Sequence, residues 1–419
     1  MANNVLYLNI RSILQKLVQY TYIKYISRKI LQYTERPLIL IGRFIGLFFI
    51  PSFGSQLFFL FPFYHIGGAE KVHIKIIYCL KKYNPIVFFT NSSKNSALKE
   101  QFIQSAKIFD LRSLNFDLGL LNFFYRPLCI NFWVGVLCTI INNNKDSVVF
   151  GCNSILFYKL IPYLKPHICC IDLIHAFGGG IEDISLPYIN RLDKRVAINK
   201  RTLKDFRDQY LLNDINEQMT ERIFLIENCV KIPERIKRKN NKSTLRILYV
   251  GRGSEEKRVN LIGKISYLCH QNDMPVEFIL VGDVKDSIDE QYQRYCNFLG
   301  EIVDENKLSE IYSNSDVLLL VSSREGFPLA IMEAMAHGVV TISTDVGGIS
   351  EHIRDRHNGF LTKNESEDFI IKHVCEVISE LASNEFLRNK ISLEAYEYAK
   401  ANFNCEKFCS EYKKLVWGK

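Results

Sequence analysis

The chain has 419 residues, 47% apolar and 23% charged, which excludes a disordered or fibrous protein and leaves room for two domains with a core each. Its net charge of +8 gathers at one end: residues 1–50 carry seven Lys or Arg (Arg11, Lys16, Lys24, Arg28, Lys29, Arg36, Arg43) against Glu35 alone. A basic end on a nearly neutral body suits an anionic surface. Without an aromatic platform among basic residues elsewhere, a membrane surface is the expected partner and nucleic acid is not.

The polar start (Asn3, Asn4) and the lack of a short apolar stretch before a small-residue cleavage site do not fit a signal peptide. Leu6, Ile10, Ile13, Leu14, Leu17 and Tyr20 recur at helical spacing between basic residues. That pattern suggests an interfacial amphipathic segment; the plainer alternative is an extension packed on the first domain. Phe44–Tyr64 is uncharged over 21 residues, but Pro51, Ser52, Gly54, Ser55 and Gln56 interrupt it. We read a short apolar segment, Leu38–Ile50, and a buried strand, Leu57–Phe63, rather than one membrane-spanning helix.

From there, short apolar runs alternate with amphipathic stretches. The runs are Leu57–Phe63, Ile86–Thr90, Ile108–Leu111, Val148–Phe150, Ile168–Ile174, Val196–Ile198 and Ile223–Ile226. The stretches include Glu70–Lys82, Phe132–Asn142 and Ile155–Leu164. Continuous apolar strands between helices predict a parallel sheet covered on both faces. Lys231–Ser243 is basic and polar and reads as a linker. A second series follows it: strands Leu245–Val250, Val276–Val281, Asn297–Leu299, Val317–Val321 and Val339–Ser343, with helices Val259–Cys269, Asn306–Ser313 and Leu329–Ala336, then helix from Glu367 onward. The expected organisation is an extension over 1–55, a first domain over 56–235, a second domain over 236–400 and a final helix over 401–419.

The twelve cysteines include no C-x-x-C pair and no His at zinc-ligand spacing. They are expected to be reduced thiols of a cytoplasmic protein.

The most informative segment is Val317–Glu333. A buried strand ends at Val321, and Glu325-Gly326-Phe327-Pro328 leads into a helix beginning at Leu329. Pro328 suits a first helical turn, Gly326 allows close backbone approach, and the free N–H groups of the helix start are ready for ligand oxygens. Glu325 and Glu333, eight positions apart, can border one pocket and accept from sugar hydroxyls. After the strand Leu245–Val250 come Gly251, Arg252 and Lys257. Two cations at a strand's carboxyl end can offset a diphosphate leaving group, although neighbouring charges also allow a merely solvated loop. Gly67-Gly68-Ala69-Glu70 opens a helix after the first strand, as a ligand-facing loop or a plain tight turn. His175 closes the strand Ile168–Ile174, beside Gly178–Gly180. Tyr64, His65, Asp172 and Glu182 are weaker candidates for shaping an acceptor site, and His337 reads as a C-terminal helix cap.

Glu325…Glu333 is an E-x7-E pair. With AMAHGVV (Ala334–Val340), DVGGISEHI (Asp345–Ile353), NGFL (Asn358–Leu361) and LYVGRGSEEKR (Leu248–Arg258), it resembles the retaining glycosyltransferases of family 4, group 1 type. The resemblance is dense over about 245–362 and looser over 57–235. It implies a GT-B fold, two Rossmann-like α/β domains whose parallel sheets face a central cleft. It implies transfer of a sugar from a nucleoside diphosphate sugar to a glycan or lipid-linked glycan acceptor, with retained configuration and no cofactor or metal, in bacterial surface polysaccharide biosynthesis. Glu333 would hold the ribose, and Glu325, with the backbone N–H groups of Gly326 and Phe327, the donor sugar, Pro328 and Leu329 completing the donor loop. The first domain would be the acceptor domain, with the final helix packing back on it, and the second the donor domain. Arg252 and Lys257 would hold the diphosphate, with Gly251, Gly67 and Gly68 lining its approach and His175 near the transferred sugar. Arg258 stands where that family usually has Gly. No D-x-D pair occurs. The alternatives are a non-catalytic GT-B protein binding sugar nucleotides or glycans, or a GT-B sugar-nucleotide epimerase. A phosphorylase lacks a candidate Schiff-base lysine. A dinucleotide oxidoreductase is disfavoured because Gly251-Arg252-Gly253 continues to Glu256 and not to a third glycine.

Overall fold

The computed structural model describes residues 35–49, 55–111, 122–236 and 244–418. The amphipathic pattern Leu6–Tyr20 and residues 237–243 of the expected linker lie outside them.

Two parallel sheets form the molecule. The first contains β1 (Leu57–Phe61), β2 (Ile86–Phe89), β3 (Lys107–Asp110), β4 (Val148–Cys152), β5 (Cys169–Ile174), β6 (Lys194–Ala197) and β7 (Ile223–Leu225), in the order β3-β2-β1-β4-β5-β6-β7. The second contains β8 (Leu245–Val250), β9 (Val276–Val281), β10 (Cys296–Gly300), β11 (Val317–Leu320), β12 (Val340–Thr344) and β13 (Phe360–Thr362), in the order β10-β9-β8-β11-β12-β13. The inner strands β1, β4, β11 and β12 are buried at every residue, as strands covered on both faces must be. Strand order reverses between β1 and β4 in one sheet and between β8 and β11 in the other. Ligands of such sheets bind outside the carboxyl ends at these reversal points. The loops singled out in the sequence, after β1, β8 and β11, leave from there. The fold is GT-B.

The interrupted apolar stretch divides as expected, into a helix over 35–49 and β1. Among the described residues no helix is long and apolar enough to cross a membrane. The 35–49 helix lies backbone to backbone on helix Asn122–Asn142. A Cβ on Gly42 would stand 2.2 Å from the Phe132 carbonyl oxygen, and one on Gly135 2.2 Å from that of Ile39. The opposite face leaves Leu40, Ile41, Phe44, Leu47 and Phe48 exposed.

Helices Glu367–Ser383 and Glu385–Asn402 pack on the second sheet, whereas the last helix, Cys405–Trp417, lies against helix Gly68–Leu80 of the first. Tyr412 packs on Phe150 of β4 and Trp417 on Tyr83. One cysteine expectation fails here. Cys79 and Cys409 form a disulfide, as do Cys229 and Cys405. The partners are 330 and 176 residues apart, so no local spacing announces them. Glu351, in the second domain, joins the domains at another point. Its carboxylate accepts from the backbone N–H groups of Lys200 (2.8 Å) and Arg201 (2.6 Å), the first turn of helix Lys200–Leu212.

Candidate active site

A cavity of about 1080 Å³ lies between the domains. Glu325, Arg252, Lys257, His175, Glu333, Gly326, Phe327, Pro328, Leu329, Gly67, Gly68 and Gly251 all line it.

The loop after β11 is braced from below. Arg258 donates through Nε to the Val321 carbonyl (2.7 Å) and through Nη2 to that of Ser322 (2.9 Å). Its backbone is left-handed, φ 49°, at the head of helix Val259–Gln271. That conformation explains the glycine usual in the resembled family and why its replacement carries a function as a brace. Glu325 then receives two donors on one oxygen, Lys257 Nζ at 2.5 Å and Ser322 Oγ at 2.6 Å. Gly326 follows where a Cβ would meet the His175 carbonyl oxygen at 2.2 Å. Only glycine lets this loop touch the first domain's backbone. The Phe327 ring turns inward onto His352, 4.1 Å between centroids, so its backbone is what faces the cavity.

Helix Leu329–Ala336 carries Glu333. Tyr312 donates to its Oε2 at 2.9 Å, and Lys71, from the first domain, lies 3.5 Å from Oε1. Burial, with the Glu333 charge added, pushes the Tyr312 phenol well above its ordinary range, so it stays a donor. His337 Nδ1 donates to the Glu333 carbonyl at 2.7 Å, closing the helix end. The Arg252 side chain is over half exposed and lies 3.7 Å from Glu256.

Gly67 precedes helix Gly68–Leu80 in extended backbone, so its φ demands no glycine. A Cβ there would stand 2.0 Å from Glu70 Oε2, so a larger residue would displace the Glu70 carboxylate. Burial raises the Glu70 carboxyl. His175 Nε2 lies 3.3 Å from Nε2 of His73, which is fully buried and stacked on Phe61 at 4.0 Å. Burial lowers His175 to about 4 and His73 well below its usual value, so both rings are neutral near pH 7. With Cys152 they form the one group among the described residues whose ligand atoms, within 4.8 Å of one another, could hold a metal ion. Burial raises the Cys152 thiol well above its ordinary range, leaving the trio uncharged.

Three weaker candidates belong elsewhere. Asp172 is buried in an ion pair with Arg195 (2.8 Å) and accepts from Tyr158 (3.0 Å). Tyr64 donates to Asp110 at 2.7 Å, and Glu182 accepts from the Gly178 N–H at 2.6 Å, holding the glycine loop. His65 does line the cavity. Sequence reasoning missed Lys71, His73, Tyr312 and Arg324. Lys71 follows directly on the glycine loop and was within reach; the others are ordinary residues until their elements meet.

Residues 244–380 match the family model described as Glycosyl transferases group 1. The second domain is a group 1 glycosyltransferase domain. The chain is 33% identical over 120 residues to the N-acetyl-alpha-D-glucosaminyl L-malate synthase of Bacillus anthracis, covering 29% of this chain and 30% of that protein. It is 24% identical over 263 residues to the amylovoran biosynthesis glycosyltransferase AmsD of Erwinia amylovora, covering 62% and 71%. The chain spans 30% to 58% of the length of several other curated relatives and of the malate synthase. Among solved structures, Anabaena HepE in complex with UDP and glucose superposes with a TM-score of 0.66 at 16% identity, over 86% of this chain and 99% of that one.

Proposed function

We propose that this group 1 domain and its partner sheet transfer a sugar, with retained configuration, from a nucleoside diphosphate sugar to a hydroxyl of a glycan or lipid-linked glycan. One observation carries the reading: Glu325, Glu333, Arg252 and Lys257 border a single cavity at the reversal points of both sheets. HepE, with UDP and glucose, and AmsD, named for a polysaccharide, support the same donor class and setting.

Glu333, oriented by Tyr312, accepts from the ribose hydroxyls. Glu325 and the loop's backbone N–H groups hold the sugar. Lys257, which neutralises Glu325 while the cavity is empty of donor, moves toward the diphosphate and with Arg252 stabilises the charge that grows as the glycosidic bond breaks. Neutral His175 meets the sugar as a hydrogen-bonding group and not as a cation. The acceptor hydroxyl attacks from the leaving group's own side, so no protein nucleophile is assigned. The cations make a divalent metal unnecessary, and EDTA should leave turnover intact.

The test is nucleotide release by the purified chain over a panel of UDP-, GDP- and other nucleotide sugars, with the product anomer read by NMR. A nucleotide sugar at about 100 times its dissociation constant should stabilise the fold by ~2.7 kcal/mol. Glu333→Ala and Lys257→Ala should each lower turnover at least ~100-fold while the chain still folds; undiminished turnover in either sinks the assignment. The exposed Leu40, Ile41, Phe44, Leu47 and Phe48, beside Arg36 and Arg43, suit the inner face of a cytoplasmic membrane. Phe44→Asp with Phe48→Asp should abolish cosedimentation with vesicles containing phosphatidylglycerol. Equal sedimentation of both forms would reject that surface.

A further inference from the structure

Among the charged side chains of the cavity that the donor machinery does not use, Arg324 stands next to the donor loop itself. Arg324 immediately precedes Glu325 and leaves the loop in another direction, toward the first domain. Its stem and guanidinium lie over Gly178 and Gly179. A Cβ on Gly178 would stand 3.3 Å from its Cδ, and one on Gly179 3.4 Å from its Nη1. Among the described residues, Arg324 forms no ion pair and no side-chain hydrogen bond, whereas Lys71 and Lys257 are both held by carboxylates. The glycine loop supplies no group to satisfy the guanidinium. Gly178 and Gly180 both have φ of +84°, so this bare surface is built into the backbone.

What lies beside Arg324 is apolar. Helix Ile181–Ser185 begins one residue past the glycines, and helix Ile155–Leu160 packs next to it. Ile155, Ile181 and Ile184 line the cavity, with Ile155 47% and Ile184 40% exposed. Exposed isoleucines within a cleft lose hydration favourably only to an apolar occupant. Among the described residues neither Tyr nor Trp lines the cavity, and the Phe327 ring is turned onto His352, which leaves only the imidazoles of His65 and His175 as flat faces. A planar cation at the edge of an isoleucine strip fits a ligand with an anionic head joined to an alkyl chain.

We infer that Arg324 and the Ile155–Ile181–Ile184 strip form an acceptor subsite for an amphiphilic anion, a phosphate or carboxylate carried on an apolar chain. The inference rests on the glycosyl-transfer reading and names the acceptor class for it. The fork of Arg324 takes two oxygens of the head group, and the chain runs along the strip, away from the carboxylates that hold the donor.

The experiment is calorimetry on the full chain saturated with UDP, titrated with octyl phosphate, octanoate, 1-octanol and inorganic phosphate, all below micellar concentration. Octyl phosphate should bind at least tenfold more tightly than either 1-octanol or inorganic phosphate. Arg324→Gln should erase the advantage over 1-octanol, and Ile184→Asp the advantage over inorganic phosphate, while both variants keep their melting temperature and UDP affinity. Octanoate matching octyl phosphate supports the subsite and assigns it carboxylates. Unchanged octyl phosphate binding in Arg324→Gln overturns the proposal, and so does a tenfold loss of UDP affinity, which would make Arg324 a diphosphate ligand. Adsorption to the exposed face of the 35–49 helix is common to all the proteins and cancels in the comparison. A wild-type chain that binds octyl phosphate yet cleaves no nucleotide sugar refutes the transfer reading and leaves the subsite standing.

Discussion

Tyr312 does its work through another side chain. It is buried, it keeps its proton, and the only described hydrogen bond of its phenol goes to the carboxylate proposed for the ribose. Tyr312→Phe leaves Glu333 with Lys71 alone and removes the group that fixes its rotamer. The expected result is a several-fold rise in donor KM, about 1 kcal/mol for one hydrogen bond, with kcat little changed. A fall in kcat at constant KM would contradict it. The imidazoles give a second expectation at this scale. Burial holds His175 and His352 at about 4 in the folded chain, against about 6.5 when unfolded. Between those values the unfolded chain binds more protons, so these two rings make stability fall as pH drops from 6.5 toward 4, and their own contribution levels off below. Each ring contributes roughly 3 kcal/mol across that window. Melting temperatures flat from pH 7 to 4 would contradict the burial of both.

At the scale of elements, the sheets were legible because parallel strands covered on both faces must be written as unbroken apolar runs, and helix Leu329–Ala336 because proline and glycine punctuate its start. Helix Lys200–Leu212 was not read: its sequence is dominated by charge, and Glu351, 150 residues away, completes its first turn. β13 was recognisable only as part of a motif, since three residues carry no periodicity. The donor loops were legible because glycine, proline and paired acids at fixed offsets are local features. Asp172 misled because a carboxylate in the strand that leads to His175 looks functional until Arg195, on the neighbouring strand, neutralises it. Arg324 was hidden for the opposite reason: its meaning depends on glycines of the other domain. The cysteine pairs depend on contacts of the last helix with residues 330 and 176 positions before it. Alkylation without reductant should modify Cys129, Cys138, Cys152, Cys169, Cys170, Cys269, Cys296 and Cys375 in the denatured chain, and all twelve cysteines only after reduction. Twelve modified residues beforehand would restore the reading from composition.

For the molecule as a whole, the main apolar cluster runs from β1 through the C-terminal helices to β11, so the halves share a core behind the cavity while polar contacts close it in front. Lys71–Glu333 and Asn95–Glu301 are the front contacts, and both are partly hydrated pairs of small individual strength. The disulfide between Cys229 and Cys405 sits at the back, where the polypeptide passes from one domain to the other and later returns. Two crossings riveted side by side cannot slide past each other. Relative motion of the halves is thereby restricted at the crossing, as it is at the Glu351 contact with helix Lys200–Leu212, and breaking one sulfur–sulfur bond should loosen it.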